Sequence, residues 1–172
     1  MSALTQSATR SEKDSIGPKE IPAHVYYGIQ TARAVENYPI SGMRAHPTLI
    51  RAFGMVKEAA AEANRALGLV DEKIANAIIQ AAQEVEQGKW NKEFVVDVFQ
   101  AGAGVSFHMN TNEVIANRAA GGRQRDHDVH HAVLVHVDRA DHVELDDVAP
   151  QLGIDDALER LEDGVLRRHA FH

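Results

Sequence analysis

The 172-residue sequence contains no cysteine, which excludes disulfides, thiolate nucleophiles and cysteine-ligated metals. It also lacks long apolar runs. Segments such as Phe94-Val95-Val96 fall far short of the roughly 20 residues that a membrane span needs, so no membrane partner is expected. The N-terminus shows no basic-then-apolar signal peptide, and a cytoplasmic protein is the expectation. Other absences are local. Residues 121–172 contain no Lys, Ser, Thr, Asn, Met, Tyr or Trp.

What is present divides at the same place. The net charge is −7. Residues 1–120 hold 13 Asp+Glu against 12 Lys+Arg, whereas residues 121–172 hold 12 Asp+Glu against 6 Arg and carry seven of the ten histidines. Two compositions are joined near Ala119–Gly122. With 44% hydrophobic and 25% charged residues the chain is globular, and its acidic balance gives no reason to expect a nucleic acid.

Residues 1–13 are polar and expected to be loose, with residues 1–10 a flexible N-terminus. Gly17-Pro18 and Pro22 favour short extended pieces. Pro47 suits the first turn of a helix. Leu49, Phe53, Val56, Ala60, Ala63 and Leu67 recur at helical spacing and form one apolar stripe. Gly68 suits the position just past the end. Asp71 is a good N-cap for a second helix, with Ile74, Ile78, Ala81, Ala82 and Val85 as its stripe and Gly88 as its stop. The short connection predicts an antiparallel helical hairpin, helices at 47–67 and 72–87, that serves as scaffold.

Phe94–Phe99 is a short apolar run of ambiguous type. Gln100-Ala101-Gly102-Ala103-Gly104-Val105-Ser106 follows, and its glycines let a backbone approach a ligand closely. From Val114 the pattern is helical, with Asn110, Thr111 or Asn112 as candidate caps. The N–H groups of such a start attract a carboxylate. A nucleotide loop is excluded: the full Gly-x-Gly-x-x-Gly pattern and a following Lys-Ser/Thr are absent.

Several segments together carry a family signature. They are Ser11-Glu12-Lys13-Asp14-Ser15-Ile16-Gly17, Tyr26-Tyr27-Gly28-Ile29-Gln30-Thr31, Glu36-Asn37-Tyr38-Pro39-Ile40-Ser41-Gly42, Gly102–Ser106 and Asn110-Thr111-Asn112-Glu113-Val114-Ile115-Ala116-Asn117-Arg118-Ala119. In this order they resemble the N-terminal domain of the aspartase/class II fumarase family, over about Ser11 to Ala119. Tyr26–Thr31 and Val96–Gly104 look like the aspartase version, because Ala103 stands where the fumarase pattern has a serine.

The resemblance implies a mainly α fold, a helical N-terminal domain at 11–120 with short extended segments near the N-terminus. It implies a homotetramer whose sites are built from three subunits. The implied reaction is anti-elimination of ammonia from L-aspartate to give fumarate, with a serine base on a loop and no organic cofactor; a divalent metal activates some members. The implied substrate-binding residues are Gly104, Val105 and Ser106. Most members carry a threonine where Val105 stands, so one substrate hydrogen bond, worth about 1 kcal/mol, is lost.

The family's second and third substrate segments need Ser, Thr, Asn and Lys. No Ser follows Ser106, no Thr follows Thr111, no Asn follows Asn117 and no Lys follows Lys92. No catalytic base is therefore assigned, and the chain alone is expected to be inactive. The narrow alphabet of residues 121–172 is what an out-of-frame reading of a GC-rich gene produces. A frameshift or misplaced gene end near codon 120 is the expectation, with a genuine fusion as the alternative. His127, His130, His131, His136 and His142, mixed with Asp126, Asp128, Asp138 and Asp141, match no recognised ligand spacing, so no metal is assigned. Three alternatives to an aspartase fragment remain: a class II fumarase fragment, a non-catalytic assembly module, and a histidine-rich metal-binding protein.

Overall fold

A computed structural model describes residues 8–121 of the chain. Its elements run β1 (Thr9–Lys13), β2 (Pro18–Pro22), α1 (Ile29–Asn37), α2 (Pro47–Ala66), α3 (Glu72–Glu86) and α4 (Val105–Ala119), with short 3₁₀ turns at Asn91–Glu93 and Gly102–Gly104. This is the mainly helical architecture with short extended N-terminal segments that the resemblance implied.

β1 and β2 pair antiparallel, with Arg10 opposite Ile21 and Glu12 opposite Lys19. Asp14 Oδ1 closes the turn by accepting the N–H of Ile16 at 2.9 Å and of Gly17 at 3.1 Å. Residues 9–13 are thus a paired strand and not loose. Thr9 and Arg10, placed in the flexible N-terminus by sequence, belong to it. Arg10 fixes the hairpin to the following loop: its guanidinium donates to the carbonyls of Pro22 and Val25 at 2.8 Å and of Tyr27 at 2.6 Å.

The α2–α3 hairpin forms where expected. Pro47 opens α2, and the His46 ring accepts the Thr48 N–H. At its end Gly68 adopts φ +67. Leu69 N–H then reaches the Asn64 carbonyl and Gly68 N–H the Arg65 carbonyl, the paired bonds of a Schellman stop. Asp71 caps α3 through the N–H of Lys73 at 2.9 Å and of Ile74. Cross-links Arg65–Asn76 and Glu58–Gln83 run in opposite sequence directions, which makes the pair antiparallel.

The buried face of α2 is not the expected stripe. It consists of Ile50, Gly54, Lys57, Ala61 and Asn64, one residue along from Leu49, Phe53, Val56, Ala60 and Ala63. Gly54 explains the offset. A Cβ there would lie 2.8 Å from Glu86 Cγ and 3.2 Å from the Ala82 carbonyl, so α3 packs directly on the α2 backbone at that point. Leu49 and Val56 are left 41% and 55% exposed.

α4 starts at Val105, nine residues before the expected start at Val114. Asn110, Thr111 and Asn112 are therefore buried in its interior and cap nothing. Instead they support neighbours. Asn110 accepts the Val95 N–H and donates to the Glu93 carbonyl, and Thr111 donates to the Phe107 carbonyl. Phe94 and Val96 bury their side chains in the shared core, and the Asp97 backbone forms an isolated antiparallel β-bridge with that of Arg44, so the ambiguous run is an extended segment crossing the core. At the far end of α4, Arg118 grips Glu84 with two bonds of 2.6 and 2.7 Å. That guanidinium holds the Glu84 carboxyl below its usual range, and Trp90 donates to the same carboxylate at 2.9 Å.

Candidate functional site

The glycine-rich segment singled out by sequence folds into the turn that launches α4. Ala103 and Gly104 take successive left-handed conformations, φ 58 and φ 72. For Ala103 this is a strained choice, costing about 1 kcal/mol or more relative to the ordinary helical region. Such strain in a non-glycine residue marks positions whose backbone direction matters. Gly104 is the N-cap and has no side chain with which to cap. Gln100 does so from six residues away, its Oε1 accepting the Ser106 N–H at 2.9 Å. Val105 N–H turns back to the Gly102 carbonyl.

The three expected substrate-binding residues are contiguous but differently placed. Gly104 has no atom within 4 Å of the position a Cβ would take, so its backbone faces open space. Val105 is 46% exposed, whereas Ser106 is buried at 4%. A ligand arriving at this turn meets the Gly104 backbone and the Val105 side chain first. The positive end of the α4 dipole lies behind them, which favours an anion.

One helical turn further on lies a polar cluster that sequence reasoning missed. Lys57 of α2 is almost wholly buried, and its Nζ lies 2.9 Å from His108 Nε2, within hydrogen-bond distance. Asn112 Nδ2 approaches the same ring nitrogen at 3.4 Å. The available signal was a lysine at helical spacing from Ile50, Gly54 and Ala61, which a search for apolar stripes passes over.

A second anchor holds the loop before α2. The Asp97 carboxylate accepts the N–H groups of Ser41 and Gly42 at 2.7 Å, the Ser41 hydroxyl at 2.8 Å and the Phe99 N–H at 2.9 Å. Desolvation pushes its pKa up, but these donors outweigh it and bring the carboxyl down to about 2. Among the described residues no group of three or more His, Asp and Glu side chains is arranged to hold a metal. The His127–His142 cluster lies outside the described residues. No helix among the described residues is long and apolar enough to cross a membrane.

A family model described as lyase matches residues 17–147. The chain belongs to this lyase family. An aspartate ammonia-lyase from a Bacillus species is 57% identical over 110 residues, which are 64% of this chain and 24% of that protein. A class II fumarate hydratase from Halobacterium salinarum is equally 57% identical, over 111 residues and the same shares. The Bacillus subtilis aspartate ammonia-lyase is 54% identical over 114 residues. In structure, the chain is similar to a fumarate lyase:delta crystallin from Brucella melitensis, with a TM-score of 0.69 and 46% identity over 73% of this chain and 29% of that one. A class II fumarase from Schistosoma mansoni follows at TM-score 0.68 and 30% identity, over 73% of this chain and 28% of that one. The chain spans about a quarter of the length of the relatives it matches. The lyase family model reaches beyond Ala119 to residue 147, whereas these pairwise matches extend over 110–114 residues.

Proposed function

We propose that this chain is the N-terminal part of an aspartate ammonia-lyase, whose whole reaction converts L-aspartate to fumarate and ammonia. The supporting observation is the turn at the positive end of α4, with Gly104 half-buried and Val105 exposed, in a chain 57% identical to an aspartate ammonia-lyase. In this reading Gly104, Val105 and Ser106 hold one carboxylate of the dicarboxylate substrate. The helix end stabilises the negative charge that grows there as the proton beside the carboxylate leaves. Val105 supplies shape and no hydroxyl, so binding relies on the backbone and on Ser106.

Elimination also needs a base, and no residue of the matched segment is assigned that role. The chain alone therefore binds weakly and does not turn over. In the intact family setting it is part of a cytoplasmic homotetramer. The test is ultraviolet absorbance of fumarate with the purified chain and excess L-aspartate, together with amide shifts of Gly104, Val105 and Ser106 on fumarate addition. Shifts without turnover are expected. Turnover above background contradicts the assigned lack of activity, and absence of shifts at the turn contradicts the site. A class II fumarase fragment is the second reading, favoured by the Halobacterium relative of equal identity. Malate assayed beside aspartate, on this chain joined to the remaining segments of either relative, separates the two.

A further inference from the structure

The first N–H groups of α4 are already engaged within the chain. Val105 opens the helix, and its N–H turns back to the Gly102 carbonyl. Ser106 is the second helical residue, and its N–H is taken by Gln100 Oε1 at 2.9 Å. This is a donor that a capping side chain ordinarily satisfies. Gly104, the N-cap, has no side chain for the task. An amide oxygen from six residues upstream therefore stands where one oxygen of a bound carboxylate would stand.

Gln100 is placed to reach this point and to leave it. It follows a backbone fixed at Asp97, whose carboxylate accepts the N–H groups of Ser41, Gly42 and Phe99. Its side chain is half-buried, and among the described residues nothing accepts from its amide nitrogen. One neutral hydrogen bond holds it. Gly102 and Gly104 have no atom within 4 Å of the position a Cβ would take, so there is room beside the turn. A carboxylate is the stronger acceptor, because a hydrogen bond with a charged partner is about twice as strong as a neutral one. The positive end of the α4 dipole also favours an anion over an amide. A neutral ligand has neither advantage and gains nothing by exchanging one amide oxygen for another.

We propose that Gln100 is a specificity-determining residue of this turn: its amide oxygen holds the Ser106 N–H against neutral ligands and yields it to an anionic carboxylate. The inference rests on the reading of the turn as a carboxylate site, and adds the release of Gln100 as the step that binding requires. A side chain that merely supports the turn has the opposite consequence, since its removal weakens binding.

The probes are fumarate at pH 7, where its carboxylates are ionised, and fumaramide as its neutral counterpart, both added to the full 172-residue chain. Gln100→Ala, with helical circular dichroism retained, is expected to bind fumarate several-fold more tightly than the unaltered chain in amide-shift titrations, and to discriminate less against fumaramide. Gln100→Glu keeps a cap on the helix, and its own carboxylate is expected to abolish the fumarate response at Ser106. Amide hydrogen exchange without ligand is a separate arm: the Ser106 N–H is expected to be protected in the unaltered chain and to lose that protection in Gln100→Ala. Equal exchange in the two overturns the proposal whether or not fumarate binds. Protection by Gln100, with fumarate affinity unchanged or weakened in Gln100→Ala, also overturns it and leaves the carboxylate site standing. So does a Gln100→Glu chain that binds fumarate as the unaltered chain does. No fumarate shift in any of the three chains overturns the carboxylate site itself, and the proposal with it.

Discussion

The carboxylate of Glu113, in the middle of α4, accepts the N–H of Gly28 at 2.9 Å across 85 residues of sequence. The same carboxylate accepts the N–H of Gln30 at 2.8 Å and of Thr31 at 3.0 Å, while Glu12 of β1 takes the Ile29 N–H at 3.0 Å. Gly28, the N-cap of α1, has no side chain to cap with. Two acids from other elements do the capping, and the N-terminal hairpin, α1 and α4 are locked at one point. Burial pushes the Glu113 carboxyl above its usual range, while the hydrogen bonds of Thr31 and the backbone N–H groups pull it back.

Glu113→Gln replaces one oxygen of this cap by an amide that itself donates, so at least one buried N–H loses its acceptor. A buried unsatisfied donor costs about 1–3 kcal/mol. The expected outcome is a loss in that range in urea unfolding, with an unchanged slope. Full retention of stability contradicts the capping role.

Gly28→Ala is expected to be at least as damaging, for a steric reason. Its Cβ would fall 2.6 Å from Glu113 Oε1 and 3.1 Å from Glu12 Oε2. Moving either carboxylate breaks the cap, so a loss of about 2 kcal/mol or more is expected. Thermal unfolding of the two single variants and the double variant checks this. Because they disturb one contact, their effects are expected to be less than additive.

Asp97 contributes to the acid limb of stability. Its folded pKa lies below the unfolded value of 3.8, at about 2, so the unfolded state binds the proton more tightly. The stabilisation is fully present above pH 4 and falls as the pH drops from there through about 2. Asp97→Asn is expected to lower stability at neutral pH and to flatten that limb. Urea midpoints at several pH values between 2 and 6 give the comparison, and parallel curves for the two proteins would refute it.

Ala103→Gly tests the strain in the site turn. Glycine relieves the left-handed penalty of about 1 kcal/mol or more, offset by about 0.4–1 kcal/mol of added unfolded-state entropy. A small net gain, about 0.5 kcal/mol, is expected in chemical denaturation. A clear loss would mean that the Ala103 methyl group makes a contact worth more than its strain.

Much of the scaffold could be read from single residues whose physics is local. Pro47, Gly68 and Asp71 placed the ends of α2 and the start of α3, because each acts within one turn of its own position. Failures came where the stabilising group is distant. The start of α4 was read nine residues late because its cap comes from Gln100, whose side chain carries no motif. Asn110 and Thr111 look like cap residues but bond the Glu93–Val95 backbone and the Phe107 carbonyl, and Asn112 reaches only the His108 ring. The buried face of α2 was misjudged by one position because Gly54, Lys57 and Asn64 do not count as apolar. The Gly104–Ser106 turn was legible as a place, but the burial of Ser106 and the Lys57–His108 contact beneath it depend on tertiary packing.

The cap shared by Glu12 and Glu113 also orders events in time. Helix α1 is nine residues long, too short to persist by itself in water, and it lacks an acidic residue in its first turn. Its missing acceptor is encoded 82 residues after Thr31. The acceptor that α1 needs is therefore available only once α4 has been made, whereas the α2–α3 hairpin is closed by its own neighbours.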